Sequence, residues 1–186
     1  MAYQRKLVVF AIFLMIGVYT SAAATGWLRF CSSKQFSVLY PRSWVRSGSF
    51  GDRLQILSSK GGAEGVVIKR GQAEITVMEA PGGAGKSLAQ VIGFYTEGTS
   101  VLSQRDLLQM RGGDGCLGLT EVISKESVIP AGDSPIKVPY IINTDFFCVG
   151  AQGRKIAILL RNWQGDKQQA EYRQVARQIA RSVRFS

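Results

Sequence analysis

The stretch that decides the fold runs from residue 140 to residue 185, YIINTDFFCVGAQGRKIAILLRNWQGDKQQAEYRQVARQIARSVRF. Within it, Ile141 to Val149 and Ile156 to Leu160 are apolar runs joined by a segment with two glycines, which predicts an antiparallel hairpin. The second run is nearly uninterrupted in its apolar character, as is typical of a central strand covered on both faces. Such a strand needs a helix to cover it.

The covering helix follows directly in the sequence. Asp166 and Gln169 make a capping pair that predicts its start. From there one apolar stripe continues towards the C-terminus, formed by Tyr172, Val175, Ala176, Ile179, Ala180 and Val183. This spacing predicts a long amphipathic helix with one face on the sheet.

A second hairpin is predicted upstream of this stretch. Val101 to Met110 and Cys116 to Ser124 are strand-like runs on either side of the glycine-rich segment Arg111 to Gly115. Glycines between two such runs are typical of a tight antiparallel connection. The segment between this hairpin and the last one, Pro130 to Pro139, is predicted to be a loop.

Towards the N-terminus the pattern predicts further strands and one more helix. Ala73 to Met78 alternates between apolar and polar residues like a strand, and Ser87 with Gln90 forms a capping box that opens a helix ending near Gly98. Shorter strands are predicted at Phe36 to Tyr40, Leu54 to Leu57 and Val66 to Ile68. The order of strands, helix, two hairpins and helix predicts an α+β fold, an antiparallel sheet flanked by helices in an α/β/α sandwich.

The first residues have the pattern of an export signal. Arg5 and Lys6 precede an uncharged run from Leu7 to Tyr19, and small residues follow, with cleavage expected between Ala24 and Thr25. The alternative is an uncleaved inner-membrane anchor, because residues 7–28 contain no charge and are long enough to span a bilayer. Either interpretation places the protein outside the cytoplasm of a bacterial cell, periplasmic or secreted, or anchored to the inner membrane.

Composition predicts one globular domain after this segment. Hydrophobic residues make up 46% of the 186 residues and charged residues 19%, which excludes a disordered chain. The expected division is a signal peptide over residues 1–24, a linker over 25–35 and a single domain over 36–186.

The three cysteines bear on both compartment and structure. Cys116 and Cys148 lie in two predicted strands and, in an oxidising compartment, are expected to form a disulfide that leaves Cys31 free. The alternative is that both are small buried apolar residues. With three cysteines and no histidine, no metal site is expected.

Several landmarks together resemble the PsbP-like family, which includes the Mog proteins that bind Ran and the periplasmic DcrB-type proteins. The resemblance rests on Phe36-Ser-Val-Leu-Tyr-Pro41-x-x-Trp44, on Ile75 to Met78 leading to Ser87-Leu88, and on the closing Ser182-Val-Arg-Phe185. It covers residues 36–185. It implies a fold and a non-enzymatic binding, assembly or accessory role. The metal-binding histidines of some photosystem members have no counterpart here.

One segment matches a phosphate-binding loop in a permissive way. Ala80-Pro-Gly-Gly-Ala-Gly85-Lys86-Ser87 lies between a predicted strand and a predicted helix, as such a loop should. An alanine occupies the place of the first glycine, the surrounding pattern is antiparallel, and an exported protein meets no ATP pool. The alternative is that Ser87 caps the helix and the glycines form a turn, so no bound nucleotide and no cofactor are expected.

Catalytic machinery is largely excluded by composition. The absence of histidine removes Ser-His-Asp and Cys-His nucleophilic arrangements. Glu121 and Asp145 remain as lone candidate acids, and both are predicted to be solvated strand residues. We therefore expect a protein that is not an enzyme, with a hydrolase or nucleotide-binding protein that uses the Ala80 to Ser87 loop as the alternative.

The remaining functional feature is positive charge. The formal net charge is +10, and +8 if Arg5 and Lys6 leave with the signal. Four arginines of the C-terminal helix lie within an arc of about 80°, opposite its apolar stripe: Arg173, Arg177, Arg181 and Arg184. This ridge is either a solvated helix face or a binding site for an envelope protein or an anionic membrane surface. Nucleic acid is not expected, because no aromatic residue lies among the arginines.

Overall fold

The computed structural model describes residues 26–58, 68, 70–107, 114–127 and 140–186. The predicted signal or anchor, its cleavage point between Ala24 and Thr25, most of the glycine-rich turn and the loop at 130–139 lie outside these residues. Among the described residues, no helix has the length and apolar character needed to cross a membrane.

Among the described residues, seven antiparallel strands form the main sheet. In spatial order they are β3 (Val45–Phe50), β4 (Arg53–Leu57), β5 (Ala73–Glu79), β9 (Lys155–Trp163), β8 (Tyr140–Val149), β7 (Gly118–Ser127) and β6 (Ser100–Leu107). Both predicted hairpins are confirmed, as β6 with β7 and β8 with β9. β9 lies in the middle of the sheet, as its apolar run predicts.

One face of the main sheet is covered by α1 (Leu88–Thr96). The capping box is confirmed: the Gln90 amide donates to Ser87 Oγ at 3.2 Å and the Ser87 amide donates to Gln90 Oε1 at 2.8 Å. Val91 and Ile92 point inwards and pack in a small core with Val122 and Phe147. α1 has only nine residues, so it covers only part of this face.

The other face carries α2 (Gln169–Arg181) and a second sheet. In the part of the chain that the structure describes, the second sheet has three strands, in the order β1 (Trp27–Ser32), β2 (Phe36–Pro41) and β10 (Arg184–Phe185). The predicted apolar stripe of α2 is confirmed, since Tyr172, Ala176 and Ile179 are buried in the large core between the helix and both sheets. The molecule is therefore layered as predicted, with an extra small sheet beside α2.

Two predictions about these segments were wrong. Residues 25–35 are not a linker, because β1 pairs with β2 along its whole length. Asp166 does not cap α2: its carboxylate accepts hydrogen bonds from the amides of Trp163 and Gly71, and Gln168 precedes the helix without a side-chain cap.

Candidate partner-binding surface

A buried carboxylate organises the face of the main sheet that α2 covers. The Glu121 side chain on β7 is 1% exposed, although the sequence predicts a solvated strand position. Side chains at every second position of a strand point to the same side of the sheet. Glu121 therefore points towards the large core, where α2 covers the strand. The prediction was wrong because the covering helix comes from a segment more than 50 residues away.

Three arginines converge on Glu121. Arg173 donates from Nε to Oε1 at 2.8 Å and from Nη2 to Oε2 at 2.6 Å, a two-pronged contact from α2. One turn further on, Arg177 Nη2 donates to Oε1 at 3.1 Å. From the edge strand, Arg105 Nε donates to Oε2 at 2.5 Å. Both carboxylate oxygens therefore accept two charged hydrogen bonds each.

The electrostatics of this cluster favour the ionised carboxylate. Burial alone would raise the pKa of Glu121, but the hydrogen bonds from the three guanidinium groups outweigh it and lower the pKa from 4.5 to about 2. The same contact raises the pKa of Arg173. Three positive charges on one negative charge leave a surplus of +2 at this point of the surface.

The local sequence explains why these side chains meet. Arg105 and Glu121 are directly opposite each other in the pairing of β6 with β7, so they lie on the same face of the sheet. Arg173 and Arg177 are four residues apart and therefore follow one side of α2. We call this group, with Arg181 one further turn along α2, the arginine platform. Arg105 was not among the residues predicted from the sequence, because only the strand register brings it beside the helix.

The four arginines of the predicted ridge have different surroundings. Arg173 and Arg177 hold Glu121, so they are not simply a solvated helix face. Arg181 is exposed on the same side of α2. Arg184 lies beyond the helix, in β10, where Nη1 donates to the carbonyl of Val183 at 2.8 Å and Nε is 3.5 Å from Asp114. The platform therefore includes three of the four.

The platform borders an exposed strand edge. β6 is the last strand in the order of the main sheet, and every residue from Ser100 to Asp106 is exposed. Val101 and Leu102 are 50% and 57% exposed, so the strand also carries apolar surface. Its outer backbone groups have no strand partner among the described residues, which is the arrangement that a peptide strand can extend.

The predicted disulfide is confirmed. Cys116 and Cys148 are bonded, with their Cα atoms 5.4 Å apart. Cys148 lies on β8 opposite Leu119 of β7, and Cys116 lies two residues before β7 begins, so the bridge ties the segment that enters β7 to the end of β8. Cys31 is a free, exposed cysteine on β1.

The residues that match a phosphate-binding loop form the turn between β5 and α1. Gly82 has φ +85°, a conformation that is strained for other residues, and a Cβ there would also displace the Lys86 side chain, so this position favours glycine. The Lys86 ammonium lies 5.8 Å from the centre of the Phe94 ring, and the Ser87 hydroxyl caps the helix. Both strands beside β5 are antiparallel to it. Lysine and serine therefore take part in local contacts of the turn.

The second lone acid singled out from the sequence is also buried. Asp145 on β8 is 4% exposed and lies on the opposite face from Glu121, the face that α1 covers. The prediction of a solvated residue was wrong here too. Within the ranges that the structure describes, no group of three or more His, Cys, Asp or Glu residues is placed to hold a metal ion.

Comparison with known proteins defines the fold. No protein-family model matches this chain, and no curated protein matches it. Among solved structures, the Saccharomyces cerevisiae Ran-binding protein Mog1p is similar, with a TM-score of 0.50 and 11% identity over 86% of this chain and 95% of that chain. A point mutant of protein Mog1 gives a TM-score of 0.52 and 10% identity over 87% and 96%. At this identity the comparison shows a Mog-like fold.

Proposed function

We propose that this protein is an exported, non-catalytic accessory protein of the bacterial cell envelope that binds an acidic segment of a protein partner. The observation that carries the proposal is the arginine platform, in which three guanidinium groups share one buried carboxylate and keep a surplus of +2. Arg105 remains 51% exposed while it contacts Glu121, so it offers donors to a partner as well.

The restraint on these arginines favours a carboxylate-bearing protein over a lipid surface. Glu121 fixes Arg173 and Arg177 by hydrogen bonds, so little side-chain entropy is lost when they bind. A guanidinium in a fixed position suits the planar, two-pronged recognition of a carboxylate. Binding to a fluid membrane needs positive charge and does not need such a fixed geometry.

The edge strand β6 supplies the second part of the proposed mode of binding. A partner segment added beside β6 in an extended conformation would form backbone hydrogen bonds along Ser100 to Leu107. Its side chains would alternate between the two faces, so acidic residues would lie near Arg105 and apolar residues near Val101. We therefore propose an extended segment in which acidic and apolar residues alternate.

The fold and the N-terminus support this role. The Mog-like fold is shared with a protein described as Ran-binding, so a protein partner has a precedent on this architecture. The proposed membership of the wider PsbP-like family, which includes the DcrB-type proteins, implies an accessory role. The signal-like residues 1–24 and the disulfide between Cys116 and Cys148 agree with an oxidising compartment.

The test uses a defined peptide and two charge-matched variants. The protein is recovered from the periplasmic fraction, and its presence there is the first readout. Binding of a fluorescent peptide of alternating glutamate and valine is then compared for Arg105→Gln/Arg181→Gln and for the control Arg29→Gln/Arg42→Gln. Both double variants remove two exposed arginines, but the control residues lie on and beside the small sheet.

We expect the platform variant to bind the peptide about tenfold more weakly, since each exposed charge pair contributes up to about 1 kcal/mol. The control variant should bind within about twofold of the unaltered protein, and raising the salt concentration should weaken binding. Equal losses in both variants would show that only net charge matters and would overturn the proposal. Tighter binding to vesicles containing phosphatidylglycerol than to the peptide would favour a membrane surface instead.

A further inference from the structure

A polar pocket lies on the face of the main sheet that α1 leaves uncovered. It has a volume of about 260 Å³ and opens between the end of α1 and the strands β7, β8 and β9. Asn143 and Asp145 line it from alternate positions of β8, so both point to this face. Tyr95 closes it from the last turn of α1, and Leu159 of β9 adds an apolar wall.

Two polar groups in the pocket have no partner in the described part of the protein. Asn143 is 8% exposed, and its Oδ1 atom accepts no hydrogen bond there. The Tyr95 hydroxyl is buried and likewise has no partner. Such groups are costly in a folded protein, because a buried polar atom without a hydrogen bond loses the water that it had in the unfolded chain. Both residues line the same cavity, so a polar molecule that enters it can satisfy these groups.

The charges around the pocket select a cation. Glu97 and Glu126 supply two carboxylates, and Asp145 supplies a third carboxyl group that is negative once it ionises, whereas Arg161 supplies the one guanidinium of the described lining. That guanidinium is already engaged, because Arg161 Nη2 donates to Glu126 Oε2 at 3.2 Å. An anionic ligand would face the remaining carboxyl groups, and a cation would be attracted to them.

Size and chemistry narrow the cation to a small organic amine. The pocket volume of about 260 Å³ lies below the range of about 300–1,000 Å³ that is usual for ligand pockets. This is room for a short chain and not for a drug-sized ligand. No group of metal-ligating side chains is present in the described ranges, whereas an ammonium has three N–H donors for carboxylate and amide oxygens.

We propose that this pocket binds a small organic cation through a primary ammonium group, which donates to Asp145 and to Asn143 Oδ1 while its alkyl stem lies along Leu159. The site is separate from the arginine platform, which lies on the opposite face of the sheet. The proposal therefore stands or falls independently of the acidic partner.

Binding is expected to be linked to proton release from Asp145. The ionisable groups that face Asp145 in the pocket are Tyr95 from α1, Glu97 after it, Glu126 from β7 and Arg161 from β9. Burial raises the pKa of Asp145 to about 8, against the opposing effect of Arg161. Because only about one tenth of the protein has an ionised Asp145 at pH 7, the ammonium should bind about tenfold more tightly at pH 9.

The experiment measures binding of butylammonium and 1,4-diaminobutane to full-length protein by calorimetry at pH 7 and pH 9. Butanol and butyrate serve as the matched neutral and anionic probes. Calorimetry at pH 7 in two buffers of different ionisation enthalpy counts the protons released. Asp145→Asn keeps the shape of the side chain but removes its charge, and Glu171→Gln removes one exposed charge from α2 on the other side of the sheet.

We expect saturable binding of the amines and not of butanol or butyrate, with release of about one proton at pH 7. Asp145→Asn should lower the affinity at pH 9 by at least about tenfold, and Glu171→Gln should leave it within about twofold. If Asp145→Asn fails to fold, the proposal is tested on the unaltered protein, by the number of protons released on binding and by the tenfold change in affinity between pH 7 and pH 9. No binding of either amine at 10 mM (about the weakest affinity of interest), or unchanged affinity in Asp145→Asn, would overturn the proposal.

Discussion

The two faces of the main sheet each contain one buried carboxyl group, and the two behave in opposite ways. Glu121 on β7 and Asp145 on β8 belong to neighbouring strands and are both almost inaccessible to solvent. The pKa of Glu121 is lowered to about 2, whereas the pKa of Asp145 is raised to about 8. One group is a structural anion on the α2 face, and the other is a neutral acid at pH 7 on the α1 face.

The difference shows that the surrounding charges and hydrogen bonds, and not burial alone, decide whether a buried acid is ionised. Burial raises the pKa in both cases, since an ion loses hydration when it leaves water. Glu121 regains that energy from three arginines. Asp145 has the backbone amide of Leu160 and the more distant charge of Arg161, and these do not offset the cost. The first arrangement favours stability and the second favours binding.

The largest effect expected from this contrast is the pH dependence caused by Asp145. Its pKa is higher in the folded protein than in the unfolded chain, so the folded protein binds more protons between pH 4 and pH 8. Stability should therefore fall as the pH rises through this window, by up to about 1.4 kcal/mol for each pH unit. Urea unfolding of Asp145→Asn should show a flatter profile and greater stability than the unaltered protein at pH 8.

Glu121 provides the control for this experiment, because folding shifts its pKa in the opposite direction. Its pKa is lowered on folding, so its contribution is complete above pH 4.5 and is lost as the pH falls towards 2. The substitution Glu121→Gln should leave the slope between pH 5 and pH 8 unchanged. A profile for Asp145→Asn that parallels that of the unaltered protein would mean that Asp145 does not cause the slope.

The second largest expected effect is the loss of stability when the arginine platform is altered. In Arg173→Gln/Arg177→Gln the buried Glu121 keeps only Arg105, and stability should fall by about 3–5 kcal/mol, as for other buried pairs that lose a partner. Adding Glu121→Gln removes the orphaned charge, so the triple variant should be more stable than the double variant. Urea unfolding at pH 7 measures both differences.

The control for the platform is Arg29→Gln/Arg42→Gln, which should change stability by less than about 1 kcal/mol, since both residues are exposed. If the triple variant is no more stable than the double variant, the arginines act through packing alone. The contrast between the two faces would then lose its electrostatic basis.

Local pattern explains which parts of the fold could be predicted from the sequence. The pair β8 and β9, the stripe of α2 and the capping box at Ser87 depend on spacing within one segment, and all were predicted. β1 was missed because Trp27–Ser32 is a half-exposed strand that follows directly on the apolar N-terminal run and depends on pairing with β2. The Mog-like fold was anticipated from scattered landmarks around Phe36, Ser87 and Phe185.

The candidate sites could be predicted only in part, because they are tertiary features. The helical spacing of Arg173 and Arg177 was visible in the sequence, but their carboxylate partner was not. A polar residue in a strand is normally solvated, and only the arrival of α2 or α1 over that position changes this. Glu121 and Asp145 were therefore singled out as acids but given the wrong surroundings.

The smallest expected effect is a difference in stability on removing one tyrosine hydroxyl group from each face of the main sheet. The Tyr95 hydroxyl in the pocket has no partner within the described part of the protein, whereas the Tyr172 hydroxyl on α2 lies 2.6 Å from Gln168 Oε1 and 3.0 Å from Gly71 O and can donate its one proton to either. Tyr95→Phe should therefore be neutral or stabilising by up to about 1 kcal/mol, and Tyr172→Phe should cost about 1–2 kcal/mol. Thermal unfolding of both variants measures the difference. A loss in Tyr95→Phe as large as that in Tyr172→Phe would show that the pocket hydroxyl is already satisfied, because removing an unsatisfied donor has no hydrogen bond to break.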